Sequence, residues 1–304
     1  MGVVKHLFIV NPVAGNGIAL KMTNTIHKLF NELKLKYQDI SYEIVYTKEQ
    51  GHATEIARRY SSMGNYRIYA VGGDGTLNEV LNGMIGSDSS LGCIPGGSGN
   101  DFIKSIVTKF DRKRILMNTV LGTEEEIDVA SVDGRYYINI ASMGFDASVV
   151  NNVEKFKNRK YLPNKFAYLA SVLDTAKDFQ NLSLRMVVDQ KEIETEAFMV
   201  AIANAKYYGG GIKIAPEADF RDGLLDIILV KDITKAKIIK FLPKAVSGKH
   251  MGLDEVTLLR AKTVDLYSEE PVFINIDGEL EARREAHFKL EDVKVKFIIP
   301  KNSF

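Results

Sequence analysis

The sequence predicts an α/β unit built on a parallel sheet, followed by a strand-rich antiparallel unit of sandwich type. Three observations carry that prediction. As far as residue 122, short apolar runs alternate with stretches of helical spacing, the pattern of parallel strands joined by right-handed crossovers. Beyond that point strand signals follow one another closely, separated by turn residues. Glycine-rich turns fall at the carboxyl ends of the early strands, where open α/β sheets bind ligands. A chain of 304 residues is long enough for about two domains. The expected division is an α/β unit over 1–122 and a β-rich unit over 123–292, with the last strand, 293–304, a candidate to complete the first sheet.

In chain order, Val3–Val10 is a near-continuous apolar run that Asn11-Pro12-Val13-Ala14-Gly15-Asn16-Gly17 breaks. Residues 18–36 then place Leu20, Ile26, Leu29, Phe30 and Leu33 at helical spacing. Ser41–Thr47 reads as a strand and Gly51–Met63 as a helix. Arg67–Val71, Thr76–Ile85 and Leu91–Pro95 read as strand, helix and strand. This Rossmann-like alternation gives way to the runs Glu126–Val132 and Arg135–Ala141, joined by the turn residues Asp133-Gly134. Further strands are expected at Ser183–Val188, Ala197–Asn204, Leu225–Val230, Thr263–Tyr267, Val272–Asp277 and Val293–Ile299, with helices over 163–179 and 234–247.

Composition narrows the partners. A net charge of +1 gives no bulk electrostatic attraction for a nucleic acid. Cys93 is the single cysteine, so no internal disulfide exists, and its apolar surroundings point to a packing role in a reducing compartment. No apolar run approaches the ~20 residues that span a bilayer. The first residues enter a strand with no signal-peptide pattern, so a cytoplasmic location is expected. The five histidines show no ligand or triad spacing.

Three turns carry the chemistry. The first is Asn11-Pro12-Val13-Ala14-Gly15. The second is Gly72-Gly73-Asp74-Gly75-Thr76, followed by Asn78 and Glu79. The third is Pro95-Gly96-Gly97-Ser98-Gly99-Asn100-Asp101. A strand that stops on a glycine pair and opens a helix presents free N–H groups to an anion, and glycine lets a phosphate approach the main chain. Asp74 adds a carboxylate able to hold a hydrated Mg²⁺ against phosphate oxygens. Turns that need their glycines only for geometry are the plainer alternative. No turn contains the Lys of a Walker loop, and the first lacks the dinucleotide spacing.

Together with Leu77, Asn78, Glu79 and Phe102, these turns make the chain resemble the diacylglycerol kinase catalytic domain, and within it the soluble bacterial lipid kinases. Ser142-Met143-Gly144-Phe145-Asp146-Ala147, Tyr208–Gly211, Pro216-Glu217-Ala218, Asp222–Asp226 and Ile276-Asp277-Gly278-Glu279 extend the resemblance, in order, over nearly the whole chain. It implies ATP- and Mg²⁺-dependent phosphorylation of a lipid hydroxyl, with the nucleotide between the two domains. The implied nucleotide contacts are Asn11, Pro12, Gly15, Thr47, Gly72, Gly73, Asp74, Gly75, Thr76, Asn78, Glu79, Gly97, Ser98 and Asn100. Thr47 has a helix-capping hydroxyl as its plainer reading. The implied catalytic carboxylates are Asp277 and Glu279, beside Asp74. A base is needed because the attacking alcohol must shed its proton; which of the two removes it stays open, and two solvated acids in a hairpin turn are the alternative.

The segment Asp219-Phe220-Arg221-Asp222-Gly223-Leu224 resembles a structural Mg²⁺ loop of the family, which implies the Asp222 side chain and main-chain oxygens near Asp219 and Leu224 as ligands; a simple Asp-Gly turn is the plainer reading. Arg221 stands where a second acid often precedes the glycine. The basic run Lys155–Tyr161 is a candidate for peripheral contact with anionic lipid headgroups, or simply a solvated face. Diacylglycerol, giving phosphatidic acid, is the first expected acceptor. Ser98, where most bacterial members carry Thr, keeps a sphingoid base or another lipid alcohol close behind. NAD kinase shares Gly72–Thr76, and a non-catalytic nucleotide-binding regulator is the rival of another class. A homodimer is compatible with the resemblance.

Overall fold

The computed structural model describes residues 4–37, 39–149, 152, 174–175, 179–231 and 233–301. Its first sheet takes strands β1 (Lys5–Val10), β2 (Ser41–Tyr46), β3 (Tyr66–Gly72), β4 (Ser90–Pro95) and β5 (Thr123–Ile127), with helices α1 (Ala14–Lys34), α2 (His52–Ser62), α3 (Asp74–Met84), α4 (Asp101–Lys104) and α5 (Arg112–Val120) between them. A last strand, β15 (Val295–Ile299), enters the same sheet, whose order is β2-β1-β3-β4-β15-β5. β1 to β4 and β15 run parallel, and β5 is antiparallel to β15. Near-continuous apolar strands such as Leu7–Val10 are buried on both faces, as a helix-covered parallel sheet requires.

Register decides where the loops go. Val10 lies opposite both Tyr46 and Val71, and Gly72 opposite Pro95, so β1 to β4 end level and their outgoing turns share one rim.

The second sheet is antiparallel throughout. Its strands are β6 (Ala130–Val132), β7 (Arg135–Tyr137), β8 (Ile140–Gly144), β9 (Leu182–Val188), β10 (Lys191–Ala203), β11 (Leu225–Lys231), β12 (Val256–Ala261), β13 (Thr263–Ile276) and β14 (Glu279–Leu290). The order is β12-β11-β10-β8-β13-β14-β6-β7, and β9 pairs with both β10 and β13. The long strands β10 and β13 thus pair with β9 along one half and β8 along the other, which folds the sheet over a core of Met143, Met186, Val200, Leu266, Ile274 and Phe288. Helix α6 (Lys235–Ser247) packs Ile238, Phe241 and Ala245 onto the outer face.

Several elements differ from the sequence expectation. The run expected as one strand over 126–132 is two strands in different sheets, β5 and β6. They part at Asp128, which is fully buried and accepts a hydrogen bond from the Gly223 N–H at 2.8 Å and another from Lys294. The two strands expected at 263–267 and 272–277 are one, interrupted by a register shift. The helix expected over 163–179 falls almost wholly outside the described residues.

Candidate active site

At the rim, the Gly96 and Gly97 N–H groups both donate to the Gly72 carbonyl, at 2.7 and 2.9 Å. This clamps the second glycine turn to the third. The first turn is packed in from the side. Gly15 has φ +58°, and a Cβ there would lie 2.2 Å from the Gly96 carbonyl oxygen. A Cβ on Gly72 would strike the Thr76 hydroxyl at 2.3 Å, and one on Gly97 the Gly73 Cα at 2.4 Å. Gly15 and Gly97 need to be glycine so that the turns can touch, and Gly72 so that its own turn can close on Thr76. Gly75 is different: its φ is ordinary and a Cβ would meet nothing within 4 Å. The protein leaves open space above it, at the start of α3, where the first-turn N–H groups lack intrahelical partners.

Asp74 opens α3. One carboxylate oxygen, Oδ1, accepts from the N–H groups of Asp101 (2.8 Å) and Phe102 (3.3 Å), capping α4. Burial, helped by the charge of Asp101, pushes its pKa up to about 6 although those N–H groups pull the other way. Asn100, with φ +52°, closes the third turn by donating to the Gly97 carbonyl at 2.7 Å and accepting from the Gly97 N–H at 3.0 Å. Ser98 is exposed beside it.

The second sheet brings its acids to the same rim. Asp277 opens the turn between β13 and β14 with φ +47°. Its carboxylate accepts from Asn78 Nδ2 at 2.9 Å, the Ile140 N–H at 3.2 Å and the Ile138 N–H at 3.4 Å. Asn78 lies one turn along α3 from Asp74, so this contact joins the two sheets. Burial raises Asp277 to about 6, with the charge of Asp74 adding to it and the donors opposing. Glu279 is freer. Arg135 holds one of its oxygens at 2.7 Å, and Gln50 Nε2 reaches the other at 3.4 Å.

These parts surround a cavity of about 330 Å³. Of the residues singled out in the sequence, Asn11, Pro12, Thr47, Gly75, Thr76, Glu79 and Glu279 line it. Gly15, Gly72, Gly73, Asp74, Asn78, Gly97, Ser98, Asn100 and Asp277 do not line it. Glu79 does two jobs, since its Oε2 accepts from the Ala53 N–H at the start of α2 (3.1 Å). The sequence reading missed Lys48, Gln50 and Arg135. Lys48 follows Thr47 at the end of β2, and its place beside a rim threonine was the available signal; Arg135 gave none, because only strand pairing brings it to Glu279.

In the loop Asp219–Leu224 the two acids have partners within the loop. The Asp219 carboxylate accepts from Arg221 Nε at 3.1 Å, and Asp222 Oδ1 accepts from the Leu224 N–H at 3.0 Å. The Arg221 guanidinium thus pairs with the Asp219 carboxylate and leaves the Asp222 carboxylate without a cationic partner in the loop. Among the described residues no three His, Cys, Asp or Glu side chains gather as metal ligands. The basic run Lys155–Tyr161 lies outside the described residues.

Known proteins share this arrangement. The model of the diacylglycerol kinase catalytic domain matches residues 5–132, and that of the YegS C-terminal NAD kinase beta sandwich-like domain matches residues 139–298. A diacylglycerol kinase of Mycobacterium tuberculosis is 30% identical over 263 residues, covering 84% of this chain and 82% of the relative. One of Bacillus subtilis is 27% identical over 276 residues, covering 89% and 88%. A crystal structure from Bacillus anthracis str. Sterne, solved as "a putative diacylglycerol kinase", superposes with a TM-score of 0.78 at 27% identity, covering 99% of this chain and 96% of that one. Matches over both halves, in the order the sheets are built, show that the chain belongs to the diacylglycerol kinase family, phosphotransferases with an alcohol group as acceptor.

Proposed function

We propose that this protein transfers the γ-phosphoryl group of ATP to the hydroxyl of diacylglycerol, giving phosphatidic acid. The observation that carries the reading is the meeting of Gly75 and Thr76 with Glu279 around one cavity. An anion-binding helix start and a carboxylate from the other sheet are the two halves of a phosphoryl-transfer site. In this reading the six-stranded sheet holds the nucleotide and the nine-stranded sheet the acceptor, so the division falls at Asp128 rather than at 122. Among the described residues no helix is long and apolar enough to cross a membrane; a lipid acceptor then requires the protein to meet its substrate at a membrane surface.

Each residue has a task. The N–H groups at the start of α3 bind phosphate oxygens, and Asn11 and Thr47 line the wall beside them. Glu279 takes the proton of the attacking hydroxyl, because it lines the cavity, whereas the Asp277 carboxylate is spent on three donors that hold the β13–β14 turn to α3. Arg135 fixes the orientation of Glu279. The donor set around Asp74 fits Mg²⁺: one carboxylate oxygen remains after Asp101 and Phe102 take the other, and Asp101 and Asp277 add negative charge nearby. Bound there, Mg²⁺ would neutralise charge on the transferring group.

Incubation with γ-labelled ATP and either a total lipid extract, diacylglycerol, sphingosine or NAD tests the proposal. Label in phosphatidic acid, identified by mass, is the expected result. Label in a sphingoid phosphate or in NADP would reassign the acceptor, and ATP binding without transfer to any of them would leave a regulator.

A further inference from the structure

A second cavity, of about 380 Å³, lies on the other side of α4 and shares no lining residue with the first. One wall is Lys104 with residues 105–108, from the first unit. The other comes from the segment 206–221 of the second. Lys104, Lys206, Lys213 and Arg221 line it, against a single acid, Asp219. That acid is already bound by Arg221, whose Nη1 also reaches Glu125 at 3.4 Å. Lys104 is held by Asp101 at 2.8 Å. Lys206 and Lys213 are half-buried, and among the described residues neither has a carboxylate partner. Lys213 has instead the face of Tyr207, 5.8 Å from its ammonium.

This concentration of charge is local, since the whole chain carries only +1. Two half-buried lysines without a carboxylate partner leave positive charge along the cavity wall that the Tyr207 ring face only partly offsets. A ligand of opposite charge would offset the rest. The volume is that of a small-ligand site, for which ~300–1,000 Å³ is usual. Lysines are rotatable point donors, suited to a tetrahedral oxyanion approached from several sides, whereas a planar carboxylate is better matched by the arginine fork. We infer that this cavity is a second phosphate site, which takes a phosphate dianion, free or as a phosphomonoester headgroup, between Lys206, Lys213 and Lys104. It is separate from the cavity read as the nucleotide site and does not depend on the kinase reading.

The test removes Lys206 and Lys213 together and leaves Lys104, which touches the Asp101 contact under Asp74. Wild type, Lys206→Ala/Lys213→Ala and a charge-matched control, Lys21→Ala/Lys28→Ala on exposed α1, are titrated calorimetrically with inorganic phosphate at constant ionic strength. A non-hydrolysable ATP analogue is present to fill the first cavity. The expected result is one phosphate per chain in wild type and control, weakened at least tenfold in Lys206→Ala/Lys213→Ala. Parallel co-sedimentation with phosphatidylcholine vesicles, with and without phosphatidic acid, distinguishes the sources. Loss of phosphatidic-acid-dependent binding in the site variant alone assigns a lipid headgroup, and a response to free phosphate alone assigns a soluble ligand. No response in either arm, or the same response from both double variants, overturns the site. Should the analogue itself fail to bind, the comparison between the two double variants still stands, since both leave the first cavity intact. Lys206→Gln/Lys213→Gln replaces the alanine pair if its thermal midpoint falls.

Discussion

Gly75 and Gly72 stand three residues apart in one turn and should respond oppositely to alanine. Gly75 sits in an α3 turn with open space around its Cα, so Gly75→Ala should leave the fold intact or stabilise it by about 0.5–1 kcal/mol. The same methyl enters the first cavity, and the KM for ATP should rise at least tenfold. Gly72→Ala forces a methyl against Thr76 and should cost about 1–3 kcal/mol of stability, read as a lowered denaturant midpoint. Parallel behaviour of the two variants would mean that Gly75 has a packing reason after all. The acids divide in the same way. Glu279→Gln should lower kcat by about 10²–10⁴ at unchanged stability, the usual worth of a general base. Asp277→Asn turns one acceptor oxygen into a donor, facing either the Ile140 N–H or the Asn78 and Ile138 donors, and should cost about 1–3 kcal/mol. The sequence showed both carboxylates but could not separate them, because the difference lies in their donors. Arg135 was invisible for the same reason: its meaning is set by Glu279, a partner distant in the chain.

At the scale of elements, α3 is what binds the halves together. It starts at the phosphate turn and, one turn later, Asn78 donates to Asp277 and to the Tyr136 carbonyl (3.0 Å). At the next turn Asn82 both donates to that carbonyl (2.9 Å) and accepts from the Tyr136 N–H (3.1 Å). Asn82→Ala removes two of these bonds without touching the cavity. It should cost about 1–3 kcal/mol and loosen β7, and since β7 carries Arg135, kcat should fall while the KM for ATP changes little. Steady-state kinetics at fixed lipid reads that split. The parallel strands were legible because they are apolar on both faces, and their turns because glycine and proline mark them. β14 was not: Glu279–Leu290 alternates charged with semi-exposed residues, and only its later part buries Ala286, Phe288 and Leu290. The first half of β10, Lys191–Glu196, escaped for the same reason. β5 reads as a highly charged stretch, and sheet membership comes from β15, far away in sequence.

For the whole molecule, Asp74 and Asp277 set stability and activity against each other. Both are raised to about 6 in the folded protein, above the unfolded value of about 3.9. Between those limits the folded state holds the extra protons, so their contribution to stability is greatest below the window and is lost as pH rises through it, by about 1.4 kcal/mol per pH unit for each full proton. The rate should climb over the same interval, as the two carboxylates acquire their charge. Denaturant midpoints and kcat/KM measured from about pH 4 to 6 should therefore slope in opposite directions, and Asp74→Asn should flatten the first curve. β15 has a further consequence, for biosynthesis. A ribosome makes β1 to β4 in succession, but the neighbour of β4 on its far side, β15, emerges only after the whole second sheet. Until then β4 presents an unfilled row of amide and carbonyl groups, the kind of template on which nascent chains mispair. A stop codon ahead of Val295 would make that exposure permanent, yielding insoluble product although every residue of the first cavity had been translated.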